Sequence, residues 1–435
     1  MTTLGETALT AGECAVPLHI ANDVADPLAH ATDRLHRAFA WLRAHAPLGY
    51  AQPDGFEGLW VVTRQEDVKA FARRPRLFRN GEQSVSMMTL EEQAAIRAFT
   101  GGDALPYRHM LVMDAPDHPK YRLLTSDQFA PRNIAGMAEK IRRIARGYID
   151  RMAELGGECD FAADISHRYP LSVVMSILGV PPEDDALMLR ITHDLTGAGT
   201  IVSESGNVTR HGGGGGNAVI EAAAEFDAYF ARLMAKRRED PRGDLVSQIA
   251  NARIDGEPIP QMEALSYCLV LATAGHDTTA MTTAGAVELM ARNPRETARL
   301  RADLTLIPAM IEEANRLVSP SKITMRTVES DVEFQGRALR AGERVGLAWA
   351  SANRDEAIYD EPDAFRLDRP PTTLFSFGTG VHACLGQHLA RLEMGIFFEE
   401  FFARIGSFEL AGETAAAASH MMSGPKIVPL RYGMQ

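Results

Sequence analysis

A chain of 435 residues, 46% of them apolar and 23% charged, has ample material for a large core, which excludes global disorder. Its 57 acidic residues outnumber the 45 Lys and Arg, and a net charge of -12 argues against nucleic acid as a partner. The four cysteines, Cys14, Cys159, Cys268 and Cys384, are scattered and form no C-x-x-C pair, so neither a disulfide framework nor a structural zinc site is expected and a reducing cytoplasm fits.

Residues 1–20 include Glu6 and Glu13 and lack a basic start followed by an apolar run, so no signal peptide is expected. Residues 1–30 read as a partly ordered N-terminal extension, and 31–435 as a single domain, because no linker or repeat interrupts them. No stretch approaches the ~20 apolar residues of a spanning helix, so a soluble, monomeric, cytoplasmic protein without a membrane partner is the expectation. Strand-like runs stand at 58–63, 332–334 and 344–348. Helical periodicity dominates elsewhere, at 137–155, 218–238, 261–292, 295–318 and 386–405, with apolar residues recurring at three and four. The predicted fold class is mainly α with small β-sheets, without a βαβα alternation. The glycine tract Gly212 to Gly216 makes 197–217 a predicted mobile surface loop, either a lid or a tolerated insertion.

The helix predicted at 261–292 is interrupted by Ala274-Gly-His-Asp-Thr-Thr279, directly after the apolar run Leu269-Val-Leu-Ala-Thr-Ala274. Short polar side chains in mid-helix compete with backbone hydrogen bonds and open the ladder, leaving a polar notch in an apolar wall. His276 within it has three readings: touching substrate, adjusting proton supply, or facing away. Farther on, Glu313 and Arg316 share one helical face and can pair, just before Ser319-Pro320 ends the helix.

The segment Phe375-Ser-Phe-Gly-Thr-Gly-Val-His-Ala-Cys-Leu-Gly386 places three glycines, a histidine and a cysteine ahead of a strongly periodic helix. Glycines at 378, 380 and 386 permit tight turns and the close approach of a large planar ligand. Cys384 sits where the unpaired N–H groups of the following helix point, and such donors stabilise a thiolate. A thiolate on haem iron favours cleavage of a bound O–O bond. The remaining cysteines read as small buried hydrophobes. Gly378-x-Gly380-x-x-Ala383 also matches a loose dinucleotide fingerprint, but Glu399 and Glu400 fall inside the helical run Ile396-Phe-Phe-Glu-Glu-Phe-Phe402 rather than at a second strand end, which rejects it.

Phe377, Gly380, His382, Cys384 and Gly386 fill the haem-binding signature F-x-x-G-x-[HR]-x-C-x-G, so the sequence resembles the cytochrome P-450 monooxygenases from about residue 30 onward. The resemblance implies the cytochrome P-450 fold and haem b, with Cys384 as the axial iron ligand, Phe377 beside it and Gly378 and Gly386 in the cradle. It implies that Asp277 and Thr278 relay protons while Ala274 and Gly275 leave room for dioxygen and substrate. His118 and Arg122 match the family's H-x-x-x-R motif, and Arg326 matches the arginine after its E-x-x-R helix. With His382 these supply the cationic partners that two buried haem carboxylates require. Glu313 and Arg316 match the E-x-x-R pair, whose third member is Arg366 or Arg369. Met87, Met88, Leu195, Thr196, Leu271, Ile323, Thr324 and Met422 fall in segments that line the family's pocket.

No flavin, nicotinamide or iron–sulfur motif stands in the chain, so the resemblance implies electrons from a ferredoxin and its NAD(P)H-dependent reductase, docking near Lys120, Arg122 and Arg391. The stretches 272–279, 351–356 and 385–394 look most like the bacterial members that hydroxylate monoterpene alcohols, which implies hydroxylation of a small apolar, terpenoid-like substrate. The rival readings are a peroxide-dependent haem-thiolate oxygenase and a non-catalytic haem-binding sensor.

Overall fold

The computed structural model describes residues 8–196, 200–210 and 216–435. At the N-terminal end, α1 (Leu18–Ala25) and α2 (Pro27–His30) lead into α3 (Asp33–His45), whose first turn is capped by the Thr32 hydroxyl accepting from the Arg34 N–H. Ile20, Val24, Leu35, Phe39 and Leu42 from these helices share one core with strands β1 (Leu48–Ala51) and β2 (Leu59–Val62). Of the segment read as an extension, Ile20, Ala21, Val24 and Ala29 are packed into this core.

After the short strand β3 (Phe78–Arg79) come α4 (Asp117–Ser126), α5 (Ala138–Glu154), α6 (Tyr169–Leu178) and α7 (Asp185–Thr196). Strands β4 (Thr200–Ser203) and β5 (Val208–Arg210) then form an antiparallel hairpin. Within the surface loop expected over 197–217, residues 200–203 and 208–210 thus form paired strands. Thr200, Ile201, Val202, Val208 and Thr209 are β-branched and find an edge to pair with, which composition near the glycine tract concealed. Gly212 to Gly215 lie outside the described residues, and Gly216 opens α8 (Gly216–Glu239).

The helix expected over 261–292 is two, α9 (Gln261–Ala274) and α10 (Asp277–Arg292), broken at the predicted notch. That expected over 295–318 is also two, α11 (Pro294–Ala302) and α12 (Ile307–Val318). Here the Asp303 carboxylate captures the Thr305 N–H, and Pro308, lacking a donor, fits only the first turn of a new helix. Strands β6 (Thr324–Val328) and β7 (Arg344–Leu347) complete a sheet of order β1-β2-β7-β6-β3. α13 (Gln387–Arg404) follows the cysteine loop, and β8 (Ala415–Ala417) pairs with both β4 and β9 (Pro425–Ile427). The main core lies where Ile141, Ala145, Ile149 and Met152 of α5 meet Phe397, Phe398 and Phe401 of α13. No helix among the described residues is long and apolar enough to cross a membrane.

Candidate active site

The cysteine loop is tied back on itself before α13 begins. The Gly378 N–H donates to the Phe375 carbonyl at 2.9 Å and the Cys384 N–H to the Phe377 carbonyl at 2.8 Å, closing the turn. Gly380 has φ +77°, and a Cβ there would stand 2.5 Å from the Ala72 carbonyl oxygen, so no other residue fits. Burial pushes the Cys384 thiol up, while the N–H groups of Gly386 and Gln387 at the head of α13, with Arg122 and Arg391, oppose it. The expected donors are in place, but burial outweighs them in the polypeptide alone. A bound cationic metal centre is what would complete ionisation. The Cys159 thiol is pushed up to about 12 and that of Cys268 up as well, both by burial, as inert core cysteines should be.

Cys384 opens into a cavity with about 1550 Å³ of space unfilled by protein, mouth included. That exceeds the roughly 300–1,000 Å³ of an ordinary small-ligand pocket and leaves room for a large planar group and a second molecule. Phe377, Gly378, His382 and Gly386 line it on the loop side, and Leu271, Ala274, Gly275 and Thr278 line the wall formed by the α9–α10 break. Gly275 sits so close to the Leu271 carbonyl and Val174 that a Cβ would approach them to 2.8 and 3.2 Å. The Thr278 hydroxyl donates to the Ala274 carbonyl at 3.1 Å across the opened ladder.

Asp277 does not line the cavity. Its carboxylate is 2% exposed and lies 3.6 Å from Lys426 Nζ and 3.7 Å from Nδ1 of both His167 and His276. Burial alone would push this carboxyl up, but His276, Lys426 and His167 overcome it and hold it well below the usual carboxylate range. His276 turns away from the cavity, its Nε2 bonded to the His167 carbonyl at 2.8 Å. His167, His276 and Asp277 present donor atoms within 4.8 Å of one another, a spacing that suits a metal ion, but the Lys426 ammonium already supplies the positive charge there.

Two guanidiniums and two imidazoles converge on the cavity: Arg122 and His118 from α4, Arg326 from β6, and His382. The rings of His118 and His382 meet at 4.2 Å, tilted by 49°; His118 Nε2 and both His382 ring nitrogens are buried without hydrogen-bond partners, with Asp114 standing 3.9 Å from His382 Nε2. Burial pushes His118 down to about 4 and Arg326 to about 10. Buried cations need counter-charges, and no carboxylate lies close enough to Arg122 or Arg326 to pair with it among the described residues. A soft sulfur ligand, space for a planar ring and orphaned donors suited to two carboxylates together fit haem b.

Of the residues placed in pocket-lining segments, Leu271 and Thr324 line this cavity. Met87 and Met88 line a separate cleft with Phe56, Met325 and Arg344, and Ile323 is buried in the core beneath β1 and β2. Met422 packs on Met281 and Ala417, and Leu195 packs against the main core. The side chain of Thr196 lies outside those described. Phe129, Val174, Val270, Thr282, Trp349 and Glu393 line the cavity without having been singled out, because apolar periodicity cannot tell a cavity wall from a packed core. Glu393 did carry a signal. It follows Leu389 by four on the inward face of α13, and burial pushes its carboxyl well above the usual range, with the Thr279 side chain as hydrogen-bond partner.

Behind the loop, Arg316 holds Glu313 through two hydrogen bonds of 2.8 Å, and Arg369 Nε reaches the same carboxylate at 2.9 Å. The choice left open in the sequence therefore falls on Arg369; Arg366 contributes only its backbone N–H, at 3.1 Å. Arg316 also donates to the carbonyls of Asn353 and Ala364, pinning the meander that leads into the cysteine loop. Glu313→Ala should cost about 3–5 kcal/mol, because it leaves two buried guanidiniums without a counter-charge. A denaturant midpoint indistinguishable from wild type would refute this.

Residues 216–411 match the family model described as Cytochrome P-450. The chain is 39% identical to cytochrome P-450-terp of Pseudomonas sp over 96% of its length and 98% of the relative's. It is 31% identical to a steroid C26-monooxygenase of Mycolicibacterium smegmatis, covering 94% and 96% of the two chains. Among solved structures, CYP108D1 from Novosphingobium aromaticivorans superposes with a TM-score of 0.89 at 38% identity, over 97% of this chain and 100% of the other. With this likeness along almost its whole length and a cysteine-bearing cavity suited to haem b, the chain belongs to the cytochrome P-450 family of oxygen-incorporating oxidoreductases.

Proposed function

We propose that this enzyme hydroxylates a small apolar, terpenoid-like substrate, using dioxygen and electrons from a ferredoxin and its NAD(P)H-dependent reductase. One observation carries the reading: Cys384 and the hydroxyl of Thr278 share a single, mainly apolar cavity. Haem b, which the Cys384 thiolate would hold, would supply oxygen activation, since thiolate electron donation favours O–O cleavage. His118, Arg122, Arg326 and His382 would hold its propionates. Phe129, Val174, Val270 and Leu271 would enclose the substrate and exclude water. The Thr278 hydroxyl lines the cavity and would turn from the Ala274 carbonyl to donate its proton there, and Asp277 beside it in the chain would pass protons from the Lys426 side, where the lysine is 11% exposed.

The terpenoid class rests on the likeness to cytochrome P-450-terp, with the steroid C26-monooxygenase marking the alternative of a larger substrate. Titrating the haem-loaded enzyme with monoterpenoids, steroids, fatty acids and aromatics checks it. Monoterpenoids should give the largest shift of the haem spectrum towards high spin, and a steroid-only response would replace the terpenoid reading. The proposed docking patch is partly neutralised, because Lys120 pairs with Asp255 and Arg391 with Glu312 at 2.6 Å. Arg122 and these two would have to exchange partners for an acidic ferredoxin. Lys120→Gln with Arg391→Gln should slow electron transfer and flatten its salt dependence, and unchanged rates would remove the patch.

A further inference from the structure

A second cavity, with about 1250 Å³ of unfilled space including its mouth, lies between the N-terminal helices, the end of α12 and the sheet containing β4 and β8. Its inner wall carries two cations, Lys322 and Arg354, and two imidazoles, His30 and His36, which burial keeps uncharged. Lys322 is 6% exposed and its ammonium donates to the Val318 carbonyl, with no carboxylate paired to it among the described residues. Arg354 is 9% exposed; it donates through Nε to Asp363 at 2.9 Å and through Nη2 to the Leu317 carbonyl at 2.9 Å, while its Nη1 is buried without a partner. His30, 3% exposed, has its Nε2 on the Val24 carbonyl and its Nδ1 unpartnered, and His36 Nδ1 is also buried and unpartnered. The positive end of α3 adds to the field, since Thr32 and Asp33 at its start line the same space.

Four carboxylates also line the space, against Lys322, Arg354 and Arg292, so the excess of positive charge is confined to the deep end, where Lys322 has no carboxylate within ion-pair distance among the described residues. Glu204 and Glu288 are taken up by Arg292, Asp363 is an 81% exposed partner of Arg354, and Asp33 is exposed in the first turn of α3. Burial followed by the charge of Arg354 pushes Lys322 down to about 7, as expected for a cation kept from both water and a counter-ion, and burial pushes Arg354 to about 10 against the opposing charge of Asp363.

We propose that this cavity binds a small oxyanion of at least two negative charges, a phosphate or a polycarboxylate, held by Lys322 and Arg354. The imidazoles of His30 and His36 accept from its hydroxyl groups or take up a proton beside it. The anion joins α2 and α3 to the segment after α12, and so clamps the N-terminal helices onto the part of the chain that carries the Glu313 network. Its occupancy is independent of the haem cavity.

The test measures thermal unfolding and calorimetric binding of the haem-loaded enzyme with sodium phosphate or sodium citrate, against sodium chloride at equal ionic strength. A saturable rise in unfolding temperature is expected, with the dissociation constant weakened at least tenfold in Lys322→Met. His36→Gln, at a position not fully buried, should weaken it as well and serves if the lysine variant fails to fold. A response to phosphate alone assigns a phosphoryl ligand, a response to citrate alone a carboxylate ligand, and either supports the site. A rise no larger than that with chloride, or saturation unchanged in the variants, overturns it.

Discussion

Cys384→Ser should abolish the red-shifted absorption of the reduced, carbon monoxide-bound protein and leave oxygenation of any substrate below about one-hundredth of wild type. Loss of a mere outer-shell partner at a metal site costs roughly 10–100-fold, and the loss of a ligand must cost more. The fold should survive. Cys384 faces the cavity rather than the packed core, and its loop is held by backbone hydrogen bonds of 2.8 and 2.9 Å that the substitution leaves alone. Circular dichroism and the denaturant midpoint would therefore stay close to wild type while the haem spectrum changes. A normal carbon monoxide spectrum in the variant would overturn the ligand assignment.

Asp277→Asn and Thr278→Ala should each lower product formation by about 10²–10⁴-fold, the usual range for losing a positioned proton donor. Substrate-induced spectral changes should stay nearly unaltered, because Asp277 lies outside the cavity and Thr278 loses only a hydroxyl whose one recorded partner is the Ala274 carbonyl. NAD(P)H oxidation should continue with peroxide as the outlet, and the solvent deuterium effect on product formation should grow. Asp277→Asn has a second consequence. Its carboxyl is held below the ordinary value in the folded chain, so its stabilisation is fully present above the unfolded carboxylate pKa and is lost as pH falls through the folded one. At neutral pH the asparagine variant should thus be less stable than wild type, with the gap closing in acid. Lys426→Met, which removes the cation at 3.6 Å, should slow product formation in the same direction while leaving Thr278 in place. Wild-type coupling of electrons to product in both Asp277→Asn and Thr278→Ala would eliminate the relay.

The two histidines beside Asp277 sharpen this picture. His276 Nε2 bonds to a backbone carbonyl and so carries the proton, leaving Nδ1 bare towards the aspartate at 3.7 Å. Burial pushes both His167, to about 4, and His276 down, so at neutral pH the charge balancing Asp277 comes from Lys426. The imidazoles add their charge only in acid, where they are protonated and hold the carboxyl down as it titrates.

What the sequence determined by itself was local. The helical class, the cysteine loop and the notch at Ala274 to Thr279 could be read directly, because each depends on neighbouring residues: glycines where the backbone needs them, short polar groups where a helix must open. The break at Asp303 could have been read by the same logic from Pro308, and the hairpin at Thr200 to Arg210 from its β-branched residues, had the glycine tract not dominated. Only tertiary structure could decide what depends on distant partners. Arg369 rather than Arg366 completes the buried network because the meander turns one guanidinium inward and leaves the other to Asp368 and Glu361. Asp277 faces Lys426, 149 positions along the chain, because α10 packs against β9. Cavity wall and packed core share the same apolar pattern, so Val174 lines the cavity while Ile323 and Met422 do not. Backbone chemistry is written in consecutive residues; which side chains meet across a fold is settled only when the packing is complete.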